Sequence, residues 1–460
     1  MSNYAPPFAW ETRSSIWFVT LVVALSQAID TLVYGLIIPV MPFQLQKLGY
    51  AEVSSKTGWL LFAYSLSNIV FTFPISYLSE RCKSRKWPLY IGLVALIAAL
   101  ILLMESHNLW MMFMARVLQG ASTAVVAVIS FSLLCDTVPE EQIGQQLGYS
   151  MAGFSLGLII ATPIGGVLYG QLGFRAPFIF GIGAACIDVL GRLLVIEKVD
   201  ADKIRALLAK SKATEIALEP AATDPTSETI TTHLPPWQIW MRLGVSRRPV
   251  IVGLVTFLLG TFLSALEPTL PLRAQDVWHL DPTKIGLIFL AATAPSLLSA
   301  PLAGWLSDRY SPDVVTMGGM LLAIPWMYPL ALPDHLALFI VSLAVASFFD
   351  FASFAPITAE FASLTKTIPG VGYADSFGLF NVAYNVGAMV GPVIGGNIYD
   401  NLHNGWVVLC GIIAAILGLA MLLAAGMGER PVLTRMRNRS ATSQNCEGTP
   451  PDALNNEQKT

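Results

Sequence analysis

Apolar and polar positions along this chain are grouped in long blocks. Crossing the hydrocarbon core of a bilayer takes roughly 20 apolar residues in a helix. Blocks of that kind predict twelve transmembrane spans, numbered here in chain order, in two groups of six: 16–39, 57–79, 88–104, 109–134, 146–170 and 177–196, then 249–272, 284–306, 314–332, 335–362, 372–398 and 405–427. The pattern therefore predicts an all-α integral membrane protein built from two six-helix halves.

The remaining stretches are polar and divide the chain further. Residues 1–15 form a polar tail without the pattern of a cleaved signal, so span 1 is expected to act as the insertion signal. A charged cytoplasmic linker, 197–248, separates the halves 16–196 and 249–427. The linker ends in WQIWMRLGVSRRP, a segment suited to lie along the membrane interface. Residues 428–460 are rich in Asn, Glu and Thr and are predicted to be disordered.

Basic residues set the expected orientation. Cytoplasmic loops of membrane proteins carry an excess of Lys and Arg. With both termini inside, the cytoplasmic side holds Arg13, RCKSRK at 81–86, the basic residues of the linker, Arg309 and RPVLTRMRNR in the tail, whereas the outer loops hold only Lys47, Lys56, Arg175, Arg273 and Lys284. The acceptor motif at Asn438 then lies inside, where we expect it to stay unglycosylated.

Composition narrows the class of protein. Hydrophobic residues make up 54% and charged residues 12% of the chain, with a mean hydropathy of +0.62, whereas soluble domains carry about 25% charged residues. The net charge of −3 gives no sign of a nucleic-acid partner. Scattered cysteines and dispersed histidines indicate neither a metal site nor a catalytic cluster. We therefore expect no enzyme activity, no cofactor and no metal, and the span count excludes a seven-span receptor.

Three short motifs recur in the same order in the two halves. Prolines of IPVMP in span 1 match those of EPTLP in span 7, SYLSER after span 2 matches GWLSDR after span 8, and TPIGG in span 5 matches GPVIGG in span 11. An offset of about 229 residues, shared by these three pairs, indicates duplication. Paired six-span halves with a substrate site between them at the membrane midplane are a known transporter plan.

Four ionisable residues fall inside predicted spans. Asp30, Arg116, Glu267 and Asp350 would each cost roughly 2.5–3.5 kcal/mol if left at the centre of a lipid-exposed helix. They are therefore expected to face a cavity, to pair, or to take up protons, since burial favours the neutral form of a carboxylate. Helical spacing puts further polar residues on the same faces: Gln27 and Tyr34 with Asp30, Gln119 and Thr123 with Arg116, Ser347 and Ser353 with Asp350, and Tyr384 and Asn385 with Asn381.

Each of these residues also has a purely structural interpretation. Asp30 could be a hydrogen-bonding group between helices, and Arg116 could simply pair with Asp30 or Glu267. Aromatic side chains in the spans could serve packing rather than cation–π binding of a cargo. Asp188 and Arg192, one helical turn apart in span 6, are interpreted as a structural pair.

The ordered set of motifs resembles the major facilitator superfamily, and within it the fungal members of the branch of drug:proton antiporters that is similar to vesicular amine transporters. The resemblance covers about 16–427 and rests on DTLVYGLIIPVMP, SERCKSRK, ARVLQG, LIIATPIGG, LEPTLPL, GWLSDR, FFDFASFAPI and NVGAMVGPVIGG. It implies the twelve-helix major facilitator fold and transport by alternating access.

The resemblance also implies roles for individual residues. Acids at the positions of Asp30, Glu267 and Asp350 would serve cargo recognition and proton coupling, and Arg116 would take part in coupling. Asn381 occupies a position where the vesicular transporters carry Asp, which puts proton stoichiometry and obligate vesicular amine exchange in question. The cytoplasmic loop motifs would latch an inward gate through Glu80, Arg81, Arg85, Asp308 and Arg309; the alternative is simple anchoring by positive charge.

Small residues and prolines in spans 5 and 11 allow close helix approach and kinks. The resemblance assigns them to the seal between the halves of antiporters, and plain packing is compatible with that role. The residues are Gly157, Pro163, Gly165 and Gly166 in span 5, and Gly391, Pro392 and Gly395 in span 11.

The expected function is proton-coupled efflux of a small organic cation or amphipathic compound, such as a drug or secondary metabolite. The expected setting is the plasma membrane rather than a vacuolar or vesicular one, as a monomer. A proton-independent facilitator for a sugar or another nutrient is the alternative, since it would share the fold without needing the acids.

Overall fold

The computed structural model describes residues 10–81, 86–139, 142–195, 202–206, 244–332, 335–367 and 373–427. Within these residues the protein is all-helical, and twelve helical segments are long and apolar enough to cross a membrane. All twelve predicted spans are therefore confirmed. The tail beyond 427, most of the linker and the Asn438 motif lie outside the described residues.

The first half consists of the helices Ile16–Ile37 and Met41–Lys47 (span 1), Val53–Arg81 (span 2), Lys86–Met104 (span 3), Leu109–Thr137 (span 4), Ile143–Leu172 (span 5) and Arg175–Leu194 (span 6). A short helix, Trp10–Arg13, precedes them. Ser15 caps span 1, with its side chain accepting a hydrogen bond from the backbone N–H of Phe18.

The second half consists of Arg247–Leu266 and Leu270–Trp278 (span 7), Pro282–Thr293 and Ser296–Arg309 (span 8), Pro312–Ala323 with Ile324–Trp326 and Met327–Ala331 (span 9), Leu336–Thr367 (span 10), Tyr373–Asn401 (span 11) and Gly405–Ala424 (span 12).

Spans 1 and 7 are broken at matching places. The first helix of span 1 ends at Ile37. After a break of three residues, a second helix begins at Met41, with Pro42 in its first turn. Span 7 has the same break between Leu266 and Leu270. Proline cannot donate a backbone hydrogen bond and clashes with the preceding turn. Because Pro268 directly follows Glu267, the sequence predicts a bend there, and the first helix of span 7 does end at Leu266. The predicted ends of both spans fall short because each helix resumes after its prolines.

Glycines bring spans 1 and 5, and spans 7 and 11, into close contact. A methyl group added at Gly157 would lie 2.2 Å from the carbonyl oxygen of Ala28, and one at Gly395 would lie 2.1 Å from that of Ala265. Gly165 and Gly391 approach Leu36 and Thr261 in the same way. These four glycines allow close helix approach inside each half; a role for them in the seal between the halves stays a prediction.

Contacts between the halves cluster at one end of the bundle, formed by the loops 48–52, 173–174, 279–281 and 402–404, which we call the outer end. There span 2 packs on span 11 and span 5 packs on span 8. A methyl group at Gly58 would meet the carbonyl oxygen of Pro392, one at Gly396 that of Ser54, and one at Gly166 that of Pro282. A methyl group at Gly286 of span 8 would also lie 3.3 Å from the Cα atom of Pro163. Pro163, Gly166 and Pro392 are therefore predicted interface residues that lie between the halves.

We expect Gly157→Ala to destabilise the protein by about 1–3 kcal/mol, because the added methyl group overlaps backbone atoms that cannot move aside. The measurement is the thermal midpoint of the purified protein in detergent. Gly183→Ala in span 6 is the matched control, since nothing lies within 4 Å of a methyl group there. Equal midpoints for the two variants would contradict the prediction.

Candidate functional site

Asp30 lies in the first helix of span 1 and is only 8% exposed. One of its carboxylate oxygens accepts a hydrogen bond from the hydroxyl of Thr123 in span 4, at 2.9 Å. Tyr64 of span 2 donates its own hydroxyl hydrogen to Thr123 at 3.2 Å. Two hydroxyl groups thus form a donor chain that ends on the Asp30 carboxylate.

Glu267 belongs to the other half, at the break in span 7, and is equally buried. The hydroxyl of Tyr34 in span 1 donates to its carboxylate oxygen at 2.6 Å. The ring of Tyr34 lies against that of Tyr64, with centroids 4.9 Å apart. Through these two tyrosines the acid of the second half is linked to Asp30 in the first half.

Arg116 is buried near Glu267 but forms an ion pair with neither Glu267 nor Asp30. It is 1% exposed, and it donates one hydrogen bond to Gln119 at 3.0 Å. Its Nε has no hydrogen-bond partner in the described part of the chain, and the charge lies close enough to interact electrostatically with Glu267. The alternative interpretation of Arg116 as a fixed structural partner of an acid is not seen in this conformation.

Asp350 in span 10 is completely buried, and neither carboxylate oxygen has a hydrogen-bond partner among the described residues. Tyr384 of span 11 is near enough to interact with it electrostatically. Aromatic rings surround that tyrosine: Phe354 lies 6.0 Å and Phe380 lies 6.3 Å from it, between ring centroids. The second half thus combines an unpartnered acid with an aromatic wall.

Asn381 is engaged within its own helix. The side-chain amide of Asn385 donates to the Asn381 carbonyl oxygen at 2.9 Å and also contacts its side-chain oxygen.

Gln27 was predicted to lie on the same face of span 1 as Asp30. It is buried, and its backbone carbonyl accepts a hydrogen bond from Thr31.

Asp188 and Arg192 form the predicted pair in span 6. The Arg192 Nε lies 3.5 Å from an Asp188 oxygen, which also accepts a hydrogen bond from Ser26, and Arg192 donates to Ser130 at 2.6 Å. Both side chains are at most 3% exposed. Partners from three spans explain why this charged pair is tolerated in the interior of the first half.

The loop residues predicted to latch a gate are described only in part. Arg309 is exposed and its guanidinium lies 5.8 Å from the ring of Trp305. Glu80 and Arg81 end the helix of span 2, Arg85 lies outside the described residues, and nothing is described of the Asp308 side chain. Their gating role stays a prediction.

Two residues that the fold places at the site or between the halves, Tyr64 and Asp400, were not indicated by any pattern in the sequence. Tyr64 falls in an apolar span with no acid to draw attention to it. Asp400, near the end of span 11, accepts a hydrogen bond from the backbone N–H of Ser55 in span 2 at 2.7 Å, and Asn397 accepts one from the Ser55 hydroxyl at 3.0 Å. These hydrogen bonds connect span 2 of the first half to span 11 of the second half at the outer end.

No group of three or more potential metal ligands occurs in the part of the chain that the structure describes. Twelve membrane-crossing helices in two repeated halves, with buried acids where the halves meet, define a membrane transporter rather than an enzyme. The family model of the Major Facilitator Superfamily matches residues 23–250 and 252–451. The chain belongs to this superfamily.

Relatives and solved structures agree with that assignment. The chain is 26% identical to the MFS-type transporter ppzB of Metarhizium rileyi, over 92% of this chain and 96% of that one. It is 23% identical to the vesicular acetylcholine transporter of Drosophila melanogaster, over 91% and 71%. The structure of the nucleoside transporter NupG matches 90% of this chain and 99% of that one, with a TM-score of 0.64 at 14% identity. At that identity the likeness shows the fold alone.

Proposed function

We propose that this transporter exchanges protons for a small organic cation by alternating access. One observation carries the proposal: Asp30, Glu267 and Asp350 are buried in the spans, and none of them has a basic partner in the described structure. A carboxylate with a structural role would be neutralised as Asp188 is by Arg192. An unpaired buried acid instead has to hold a proton or a cation.

The same acids have the chemistry for coupling. A carboxylate that is neutralised by a proton has no charge left for a cationic cargo, so proton and cargo compete for one position. The rings of Tyr34, Tyr64 and Tyr384 would contribute faces to which an organic cation is attracted. Arg116, buried beside Glu267 without an ion pair, would stabilise the ionised acid after cargo has left.

The arrangement of the halves supports alternating access. The bonds from Asp400 and Asn397 to Ser55 and the glycine contacts close the outer end in this conformation. Exposure of the site to that side would require the halves to separate there, which fits rocking of one six-helix half against the other. With the expected orientation, the conformation described is closed to the outside.

Transport measurements in proteoliposomes with an imposed pH difference test the proposal. We expect an organic cation to accumulate against its gradient, by about tenfold for each pH unit if one proton exchanges for one monovalent cation. A labelled sugar and a labelled nucleoside serve as comparison substrates. Movement that ignores pH and stops at equal concentrations would instead identify a facilitator.

A further inference from the structure

We propose that Tyr34 stands in for the cargo when no cargo is bound. Its hydroxyl donates a hydrogen bond to the Glu267 carboxylate, and an ammonium N–H group of the cargo displaces the hydroxyl from that carboxylate. The inference rests on the proposed transport of organic cations. It adds a class of cargo, protonated amines that retain at least one N–H, and it assigns to Tyr34 the role of a positioning residue that couples cargo binding to movement of the halves.

The position of Tyr34 is the first support. The residue belongs to span 1 of the first half, but its side chain packs against the apolar core of the second half and donates to Glu267 at 2.6 Å. The other hydrogen bonds described between the halves involve Ser54 and Ser55, at the outer end. The bond of Tyr34 is therefore the deep polar link across the interface.

The chemistry of the bond is the second support. A hydrogen bond to a charged group is stronger than one between neutral groups, and the loss of such a bond leaves a buried carboxylate unsatisfied. An ammonium N–H replaces the phenol donor and adds a positive charge, so the exchange satisfies Glu267 in full. A quaternary ammonium has no N–H to give. Removal of the phenol by such a cargo would leave Glu267 without a donor.

The neighbourhood of the bond is the third support. The rings of Tyr34 and Tyr64, tilted by 36° with centroids 4.9 Å apart, provide aromatic surface beside the carboxylate for the cation that arrives. Both rings are partly or fully buried, so the exchange takes place away from bulk water. When the phenol leaves Glu267, the deep link between the halves is broken and the outer end has only its own contacts to keep it closed.

Tyr34→Phe and Tyr64→Phe make a matched pair of variants. Each removes one hydroxyl and keeps the ring, but the Tyr64 hydroxyl bonds to Thr123 inside the first half, whereas the Tyr34 hydroxyl bonds across the halves.

The first readout is a cysteine-labelling rate, which is measured without cargo. Ile38→Cys, buried near the outer end of span 1, is placed in a background in which the native cysteines are replaced, and it is labelled from outside with a membrane-impermeant maleimide.

We expect Tyr34→Phe to raise the labelling rate at position 38 severalfold and Tyr64→Phe to leave it unchanged, because only the first variant weakens the closed state. Equal rates in all three proteins would overturn the proposed link. If the Tyr34→Phe protein aggregates, Glu267→Gln is used in its place, because it keeps the shape of the acid but weakens the same hydrogen bond. Its labelling rate is then compared with those of Tyr64→Phe and the wild-type protein.

The second readout compares two probes: a dansyl group carrying a dimethylaminoethyl arm, protonated at neutral pH, and its trimethylammonium analogue. We expect the wild-type protein to bind the N–H probe at least about tenfold more tightly. Tyr34→Phe should bind that probe more tightly than the wild-type protein while transporting it more slowly. Equal affinities for the two probes would overturn the cargo class. If the wild-type protein bound neither, the proposed function would fail, while the labelling rates would still decide the role of Tyr34.

Discussion

Asp30→Asn is expected to abolish proton-driven accumulation while leaving a folded, inserted protein. The asparagine side chain has the shape of the aspartate and its oxygen can still accept the hydrogen bond from Thr123, so the local packing is kept. Removal of an ionisable group from within a span should not impair insertion. What the variant lacks is a group that exchanges a proton for a cation.

The test measures accumulation of the organic cation in proteoliposomes with and without a pH difference, alongside the thermal midpoint and elution profile. Asp276→Asn is the control: this residue accepts a hydrogen bond from Tyr399 at 2.7 Å near the outer end, away from Asp30. We expect the control to accumulate cargo as the wild-type protein does. Wild-type accumulation by Asp30→Asn at every pH would remove Asp30 from the coupling mechanism.

Asp350→Asn is expected to abolish transport without a loss of stability. Both Asp350 oxygens lie buried without partners in the described structure, so the substitution breaks no hydrogen bond or ion pair. A carboxylate in such surroundings destabilises the fold when it is charged, and its retention is explained by a function that requires ionisation during the transport cycle. The thermal midpoint should therefore stay unchanged or rise.

Asp188→Asn provides the contrast within the same protein. This acid is as deeply buried, but it is paired with Arg192, and removal of one partner from a buried pair typically costs about 3–5 kcal/mol. We expect Asp188→Asn to lower the thermal midpoint clearly, whereas Asp350→Asn does not. A stable Asp350→Asn protein that still transports at the wild-type rate would assign Asp350 to the structure alone.

The sequence by itself determined the class of the protein. A bilayer requires about 20 apolar residues per crossing helix and internal hydrogen bonding of the whole backbone, so the run lengths alone specify twelve helices. Repeated motifs then define two halves. The buried acids could also be picked out from the sequence, because an ionisable residue in an apolar block is rare enough to stand out. Pro268 also marked the bend in span 7, because a proline removes a backbone donor from its helix. The matching break in span 1 was not predicted.

Only the tertiary structure decided which of these groups meet. Gln27, Asp30 and Tyr34 share one helical face, but Asp30 bonds to Thr123 in its own half, whereas Tyr34 reaches Glu267 in the other half, 233 residues away in the chain. Helical periodicity specifies a face and carries no information on what packs against it. The glycine contacts between the halves, and the hydrogen bond from Ser55 of span 2 to Asp400, likewise depend on how the two six-helix halves approach each other. That approach is a property of packed surfaces, which no local pattern in the sequence encodes.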